Sequence, residues 1–450
     1  MTTTAAINWF LGGLLFFGIV SYFLGRQKAV GISRSERMCS RISHYGGYVV
    51  CWSVVPAFVF GLLIGLLQLF RARRPDAIEA EAGVHVESGW LGRTYDVVMG
   101  IFPAPVVLAL CLVMAIGGIA WAYPRINGKL RARNTVERVI RRFLLGGALI
   151  SIMTTLGIVA SILFEAIEFF RGSETRPPVS LWDFLTGTTW APETAFVQAQ
   201  GDARAGDSFA EPKFGAVPVF AGTFMITGIS LAVAVPIGLF AAIYMAEYAP
   251  AKLRKWAKPI LELLAGIPTV VYGFFALVTL SPIIVAIAEA AGIEGASYQN
   301  ALSCGLIMGI MIIPLISSLS DDVITAVPQS LREGSLALGT TPSETIRRVI
   351  LPAATPGIVA AILLAISRAI GETMILVMAA SVRANLSINP LEDMTTVTVR
   401  IVSALTGDLA FDSAETLSAF ALGLVLFVFT LLLNVGATIV IRRFRKKYSM

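Results

Sequence analysis

Charged residues and cysteines are both scarce in this sequence. Only 14% of the 450 residues are charged and 56% are hydrophobic, a balance that excludes a soluble globular chain. The four cysteines form no CxxC pair. Cys51, Cys111 and Cys304 lie in apolar runs, whereas Cys39 does not, so we expect buried structural thiols and neither a disulfide nor a metal site.

Residues for ATP or acid–base chemistry are also lacking. The two histidines, His44 and His85, lie far from any acidic cluster, which argues against a histidine-based site. No G-x-x-x-x-G-K-[ST] phosphate-binding loop occurs, because Gly128-Lys129 has neither the upstream glycine nor the following Ser or Thr. The sequence therefore predicts a chain that is not an enzyme and holds no cofactor, with any ATP hydrolysis on another polypeptide.

Long apolar runs are what the sequence has in quantity. About 20 mostly apolar residues cross a bilayer as a helix, so these runs predict an all-α integral membrane protein with about nine transmembrane helices. The first run does not read as a cleavable signal peptide, since residues 1–8 contain no Lys or Arg and Arg26 and Lys28 follow it. The predicted spans are residues 8–24, 44–70, 97–123, 144–169, 216–246, 260–288, 301–319, 356–380 and 416–441.

The basic residues predict how these helices are oriented. Of the 35 Lys and Arg residues, 24 lie on one side of the predicted membrane and ten on the other, with Arg368 alone inside a span. The richer side is expected to be cytoplasmic, so the N-terminus faces out and the C-terminus faces in. Arg71, Arg73 and Arg74 are a local exception. The net charge of +6 thus reflects topology and predicts no nucleic-acid partner. The segments on the side with more Lys and Arg are 25–43, 125–142, 249–258, 319–355 and 442–448.

The chain is organised around a polar segment that begins near residue 327 and carries several helix signals. Pro328 suits a first helical position, and Gly339 suits the left-handed residue just past a helix end. Thr341, Pro342 and Glu344 have the form of a capping box with proline at the first helical residue. The pattern predicts two short helices joined by a turn.

A strongly apolar helix follows this segment. Pro352 and Pro356 are expected to stop the second short helix before the apolar run begins. Within the run, Arg368 and Glu372 are four residues apart, so we expect them on one helix face and within reach of each other. Ionised groups this deep are costly and normally pair or face a cavity.

The polar segment resembles the EAA loop of ABC-importer permeases. The resemblance rests on Glu333-Gly334-Ser335, on Gly339 four residues beyond, and on Val349-Ile350-Leu351-Pro352. It implies that residues 327–355 are a cytoplasmic coupling loop that docks on an ATP-hydrolysing subunit. The alternative is an ordinary interfacial amphipathic loop. The expected coupling residues are Glu333, Gly339, Thr341, Pro342, Leu351 and Pro352.

Further motifs narrow the resemblance to the phosphate-specific ABC permeases, and to the PstC type more than to its PstA partner. They are FLTGTTWAP (184–192), FAGTF (220–224), AEYAPAKLR (246–254), ELLAGIPTVVYG (262–273) and SRAIGETM (367–374). The resemblance implies a six-span type I permease core over 143–450. It also implies three partners: a second, PstA-like permease subunit, a PstB-like ATPase pair and an external PstS-like phosphate-binding protein.

The same resemblance implies a phosphate path at Ser367, Arg368, Glu372 and Thr373. An arginine fork donates two parallel hydrogen bonds, which suits a tetrahedral oxyanion. The structural alternative is a permanent ion pair that only braces the bundle. Two other functions remain open, namely a permease for sulfate, molybdate or phosphonate, and an ion-driven secondary transporter or signalling scaffold.

Residues 1–142 form a three-span extension to which the resemblance carries no role. Its basic stretch 125–142 predicts a polar helix on anionic lipid headgroups, or else a partner-binding surface. Further along, Pro236 and Pro268 predict either broken membrane helices near a path or simple kinks. In the outer loop 171–215 we expect four aromatic residues to anchor the loop at the bilayer interface: Trp182, Phe184, Trp190 and Phe196.

Overall fold

The computed structural model describes residues 3–34, 37–72, 104–172, 177–192, 213–407 and 413–448, most of them helical. The chain divides into two compact units, Met1–Thr155 and Leu156–Met450. The division falls inside one helix, Ala132–Arg171. The predicted division after residue 142 stays a prediction.

The first unit is built from three long helices and the beginning of a fourth. Ser21 and Ser53 share a buried hydrogen bond of 3.0 Å between the first two helices. The predicted separate surface helix over 125–142 is wrong, because residues from Ala132 onward are the first turns of a helix that continues into the fourth span. The helices are α1 (Thr3–Ser33), α2 (Ile42–Ala72), α3 (Ala104–Ala122) and α4 (Ala132–Arg171).

The second unit contains the end of α4, twelve further helices and one short antiparallel strand pair. In that pair Trp190 lies opposite Phe214. The elements are α5 (Leu181–Thr186), β1 (Trp190–Ala191), β2 (Lys213–Phe214), α6 (Val217–Ile243), α7 (Ala251–Ala265), α8 (Thr269–Phe275), α9 (Ser281–Ala290), α10 (Ala301–Thr325), α11 (Gln329–Ala337), α12 (Pro342–Thr345), α13 (Leu351–Ile370), α14 (Met374–Ala379), α15 (Val397–Thr406) and α16 (Ala414–Tyr448).

Over the described ranges, nine helical stretches are long and apolar enough to cross a membrane, and each coincides with a predicted span. The all-α, nine-span prediction is therefore confirmed. Several boundaries differ, among them the start of the fourth span at Ala132 and the limits of the sixth and eighth spans. The predicted span 260–288 begins at Thr269, because α7 is a separate amphipathic helix that ends before Pro268. The predicted span 356–380 is instead Pro342–Ile370.

Proline does not stop the helix where the sequence predicts it. Pro352 and Pro356 both lie inside a continuous helical stretch, so the predicted stop is wrong. A wide π-helical turn, Ile346–Ile350, precedes Pro352 and closes with the Leu351 N–H donating to the Ile346 carbonyl. The wider turn accommodates a residue that has no N–H and crowds the preceding turn.

Two more π-helical turns lie just before a proline, although the helix does not continue through Pro250, because Ala249 is extended. A π-helical turn at Tyr244–Tyr248 ends two residues before Pro250, and another at Ala276–Leu280 ends two residues before Pro282. Pro236 sits within the uninterrupted α6, whereas the chain does break at Pro268, which caps α8. Of the two prolines expected to break or kink helices, only Pro268 therefore marks a break.

The core of the second unit is the crossing of α6 and α10. A side chain at Gly305 would lie 2.6 Å from Cβ of Ile229, and one at Gly309 would lie 3.0 Å from the Ser230 carbonyl oxygen. The two glycines form a G-x-x-x-G pair, which lets membrane helices approach closely. Met308 and Ile312 of α10 are fully buried beside this contact.

All four cysteines are free thiols; Cys111 and Cys304 are buried, Cys51 is half-buried and Cys39 is exposed.

The loop after α4 folds over an aromatic cluster. Phe184 is fully buried, with its ring centroid 5.7 Å from that of Phe169 and 6.2 Å from that of Trp190. The prediction that Phe184 and Trp190 anchor the loop at the bilayer interface is wrong, since both pack inside the protein. Trp182 is 72% exposed and is free for such a role. Phe196 lies outside the described residues.

Phe184→Ala should lower the free energy of unfolding by about 3–5 kcal/mol, because it removes the ring at the centre of this cluster. Trp182→Ala, two residues away on the same short helix, is the matched control and should change stability little. Thermal unfolding of the detergent-purified protein measures both. Equal shifts for the two variants would contradict the assignment of Phe184 to the core.

Candidate functional site

The polar segment 327–350 folds as a helix, a turn and a second helix. Gly339 has a φ of +83°, the left-handed conformation expected just past a helix end. The capping box is present: the Glu344 N–H donates to Thr341 Oγ1 at 3.3 Å, and the Thr341 N–H donates to Glu344 Oε2 at 3.0 Å. Pro328 is the residue before α11 rather than its first residue, one position from the prediction.

Three hydroxyl groups hold the two short helices against each other. Ser335 Oγ lies 2.7 Å from Thr340 Oγ1 and 3.0 Å from Thr345 Oγ1, and the two threonine oxygens lie 2.9 Å apart. Thr340 Oγ1 also donates to the Ser335 carbonyl at 2.8 Å. Ser335 and Thr345 are buried. These contacts fix the angle of the turn, and Ser335 is the third residue of the Glu-Gly-Ser sequence identified above.

An ion pair fastens this segment to the membrane helices. Arg332 Nη1 of α11 donates to Glu247 Oε1, in the π-helical turn at the end of α6. Arg332 Nη2 donates to the Ile324 carbonyl, at the end of α10, at 2.7 Å. Both charged side chains are largely buried, at 15% and 11% exposure, so solvent screens the pair weakly. Arg332 therefore connects α11 directly to the ends of α6 and α10.

The outward surface of the segment combines acidic and apolar side chains. Leu336 and Leu338 are 48% and 85% exposed, and Glu333 lies beside them in α11. Thr341 and Pro342 are also exposed at the start of α12, whereas Leu351 and Pro352 are half-buried inside the continuous helix. The exposed members of the predicted coupling set thus lie together at the turn. Two exposed leucines therefore form an apolar tip at the turn.

The helix that carries Arg368 ends immediately after it. α13 stops at Ile370, Gly371 follows, and α14 begins only at Met374. Glu372 therefore lies in the break, and the prediction that it shares a helix face with Arg368 is wrong. Thr398 Oγ1 donates to the Glu372 carbonyl at 2.9 Å, which satisfies a backbone group that the break leaves free.

Arg368 is exposed, and its hydrogen bond to a thioether sulfur is weak. Its Nη2 lies 3.9 Å from the thioether sulfur of Met311. Within the described part of the chain it forms no ion pair with Glu372 or with another carboxylate. Ser367 Oγ donates to Asn434 Oδ1 of α16 at 2.8 Å, and Thr373 Oγ1 donates to the Gly371 carbonyl at 3.3 Å. The structural alternative of a bracing ion pair between Arg368 and Glu372 is thus not the arrangement seen.

Helix α15 and its buried arginine were not identified from the sequence. The segment 381–415 reads as an outer loop, and VTVRIV alternates as a strand would. In the structure it is a ten-residue helix, capped by Thr396, whose hydroxyl accepts the Val399 N–H at 3.3 Å. Arg400 of this helix is 5% exposed. The Thr396 cap three residues before Val399 is the local signal that could have revealed it.

A second charged group lies at the junction of α7 and α10. Asp321 is fully buried and accepts hydrogen bonds from Arg254 Nη2 at 2.9 and 3.1 Å and from Lys258 Nζ at 3.1 Å. Lys258 also donates to Asp322 at 2.7 Å, and the hydrogen bonds to these two carboxylates raise the pKa of Lys258. The cluster attaches the amphipathic helix α7 to the end of α10, next to the Arg332 anchor.

Asp321→Asn should lower the free energy of unfolding by about 3 kcal/mol, because it leaves Arg254 and Lys258 without their buried counter-charge. Asp322→Asn is the matched control: that residue is 62% exposed and pairs only with Lys258, so about 1 kcal/mol or less is expected. Thermal unfolding of the purified protein provides the comparison. A larger loss for Asp322→Asn would show that the buried carboxylate is not the anchor.

This arrangement defines a class: a multi-pass membrane protein with an exposed helix–turn–helix fastened to the ends of its membrane helices. Residues 234–446 match the family described as binding-protein-dependent transport system inner membrane component. Residues 11–80 match a second family, described as phosphate ATP-binding cassette transporter. Part of the predicted N-terminal extension, residues 1–142, therefore matches a different family model from the rest of the chain.

Curated relatives agree with the first match. The chain is 35% identical over 279 residues to the phosphate transport system permease protein PstC 1 of Mycobacterium bovis, covering 58% of this chain and 81% of that protein. It is 34% identical to the probable ABC transporter permease protein YqgH of Bacillus subtilis, covering 63% and 84%. It is 31% identical to PstC of Mesorhizobium japonicum, covering 67% and 91%. The chain therefore belongs to the PstC family of inner-membrane ABC permeases.

A solved structure of a bacterial ABC transporter that imports the acidic polysaccharide alginate also aligns with the chain. The TM-score is 0.45 at 16% identity, covering 69% of this chain and 99% of that one. At this level the likeness carries no argument of its own.

Proposed function

We propose that the chain is the membrane-spanning permease subunit of an ATP-driven importer that moves inorganic phosphate across the inner membrane. The observation that carries the proposal is the exposed turn around Gly339, held by three hydroxyl groups and fastened through Arg332 to Glu247. The substrate is proposed from the relatives, which are phosphate transport system permease proteins. The chain itself performs no covalent chemistry, and ATP is hydrolysed on a separate subunit.

The exposed turn is the docking element for that ATPase. Its apolar tip, Leu336 and Leu338, enters a groove on the partner, and Glu333 and Thr341 flank it. Movement of the groove then reaches α6 and α10 through the Arg332 contacts with Glu247 and the Ile324 carbonyl. A second, PstA-like permease subunit, a PstB-like ATPase pair and an external PstS-like binding protein complete the assembly.

Arg368 is the residue of this chain that meets phosphate. Its guanidinium has no carboxylate partner within the described residues, so its charge and its forked donors are available to an anion. The helix break at 371–373 beside it is the kind of irregular backbone that membrane proteins tolerate where it lines a cavity. Ser367 and Thr373 supply hydroxyl groups next to the path, and Glu372 borders it without neutralising the arginine.

The orientation follows from the distribution of Lys and Arg. With 24 of 35 on one side, the turn around Gly339 and the C-terminus face the cytoplasm, and the N-terminus faces out. This places the docking turn on the side where ATP is available.

Arg368→Ala should reduce uptake of labelled phosphate by about tenfold or more, since it removes the charged donor from the path. The assay uses cells that lack their own high-affinity system and express this chain with its partner subunits. Arg383→Ala is the control, because that side chain is 86% exposed and lies 3.9 Å from Asp393. Uptake that excess sulfate suppresses would indicate another oxyanion. Unchanged uptake in Arg368→Ala would remove this residue from the path.

Gly339→Pro should abolish uptake while the protein still inserts, because proline cannot adopt the φ of +83° that the turn requires. Gly334→Ala in the adjacent helix is the control, since an added Cβ there meets open space. Co-purification of the ATPase subunit reports docking independently of uptake. Retention of the ATPase together with normal uptake in Gly339→Pro would refute the coupling role.

A further inference from the structure

The turn between α1 and α2 contains an open cavity of about 600 Å³ that the transport proposal does not use. Three arginines line it: Arg34, Arg37 and Arg41. Ser40 adds a hydroxyl group, and Met38 and Ile42 add apolar surface. Three arginines and a serine lining one cavity have the chemistry of an anion site.

The cavity wall is fixed by contacts with the turn between α3 and α4. The Cys39 N–H donates to the Gly128 carbonyl at 3.0 Å, and Tyr45 Oη, at the start of α2, donates to the Leu130 carbonyl at 2.9 Å. The Arg133 N–H donates to Ser40 Oγ at 3.4 Å. The arginines therefore project from a segment that the fold holds in place.

Three other basic side chains at this end of the unit have partners within the described residues. Lys28 donates to the Tyr123 carbonyl at 2.6 Å, Arg125 lies 3.8 Å above the ring of Trp121, and Arg133 pairs with Glu137 at 2.5 Å. By contrast, the structure gives the guanidinium groups of the three cavity arginines no carboxylate partner within its described ranges. Glu36 lies outside those ranges.

The position of the cavity indicates where its ligand comes from. The first apolar span ends at Ser33 and the second begins at Ile42, so the cavity lies where two membrane helices leave the bilayer. That is the depth of the phosphate groups of phospholipids, and basic pockets at this level bind anionic headgroups. We propose that the arginine cavity binds a phosphate-bearing anion, and that its source is the headgroup of an anionic phospholipid.

The site is independent of the transported substrate, so its test does not use uptake. The full chain with its partner subunits is placed in nanodiscs of phosphatidylcholine and phosphatidylglycerol in equal parts. After release into detergent, native mass spectrometry counts the lipids that remain bound. The variants are R34Q/R37Q/R41Q and, as a matched control, R138Q/R141Q/R142Q, which removes three exposed arginines of α4 that do not line the cavity.

Wild type and the α4 control should both retain phosphatidylglycerol in preference to phosphatidylcholine. The cavity variant should retain about tenfold less phosphatidylglycerol, since each lost arginine weakens binding. If the triple Gln variant does not insert, R34K/R37K/R41K keeps the charge but lacks the fork, and an intermediate loss is expected. Equal loss in the cavity and α4 variants would overturn the proposal, because it would indicate diffuse surface attraction.

Two further outcomes would also overturn it. Displacement of the bound lipid by inorganic phosphate would assign the cavity to a soluble anion rather than to a headgroup. Loss of the ATPase subunit from the cavity variant, with lipid retention unchanged, would assign the arginines to a protein contact.

Discussion

The structure depends on one constraint: a backbone N–H or C=O inside a bilayer has no water to bind and must be satisfied within the protein. The departures from regular helix in this chain meet that constraint in different ways. Before Pro352 the helix widens into a π-helical turn and continues. At 371–373 the helix does break, and the hydroxyl of Thr398, from α15, satisfies the exposed carbonyl of Glu372. The first departure is therefore satisfied by a backbone hydrogen bond and the second by a side chain.

The same reasoning explains what the sequence could and could not predict. The nine spans follow from apolar composition alone, and the capping box at Thr341 is local, so both were predictable. The break after Ile370 and the helix α15 have little local signal, apart from the Thr396 cap of α15. They depend on Thr398 and on packing around Val397, whose N–H donates to Thr223 of α6. A run such as VTVRIV favours a strand by its β-branched residues, and tertiary contacts override that preference.

The predicted Arg368–Glu372 pair shows why position in sequence is weaker evidence than helix boundaries. A spacing of four residues brings two side chains together only if the helix continues through both, and here it ends at Ile370. The hypothesis that Arg368 only braces the bundle requires a carboxylate partner. Within the described residues Arg368 has none. Buried pairs do exist elsewhere in the unit. One is Arg254–Asp321, which joins α7 to α10, and the other is Arg332–Glu247, which joins α11 to the end of α6.

The unbroken helix that begins at Pro342 has a mechanical consequence. From Pro342 to Ile370 it has 29 residues, a length of about 44 Å at 1.5 Å per residue. One end lies in the exposed turn and the other ends two residues beyond Arg368. No loop interrupts it, because the helix passes through Pro352 and Pro356. Over that length, a rigid tilt of about 5° at the turn would displace the Arg368 end by about 4 Å.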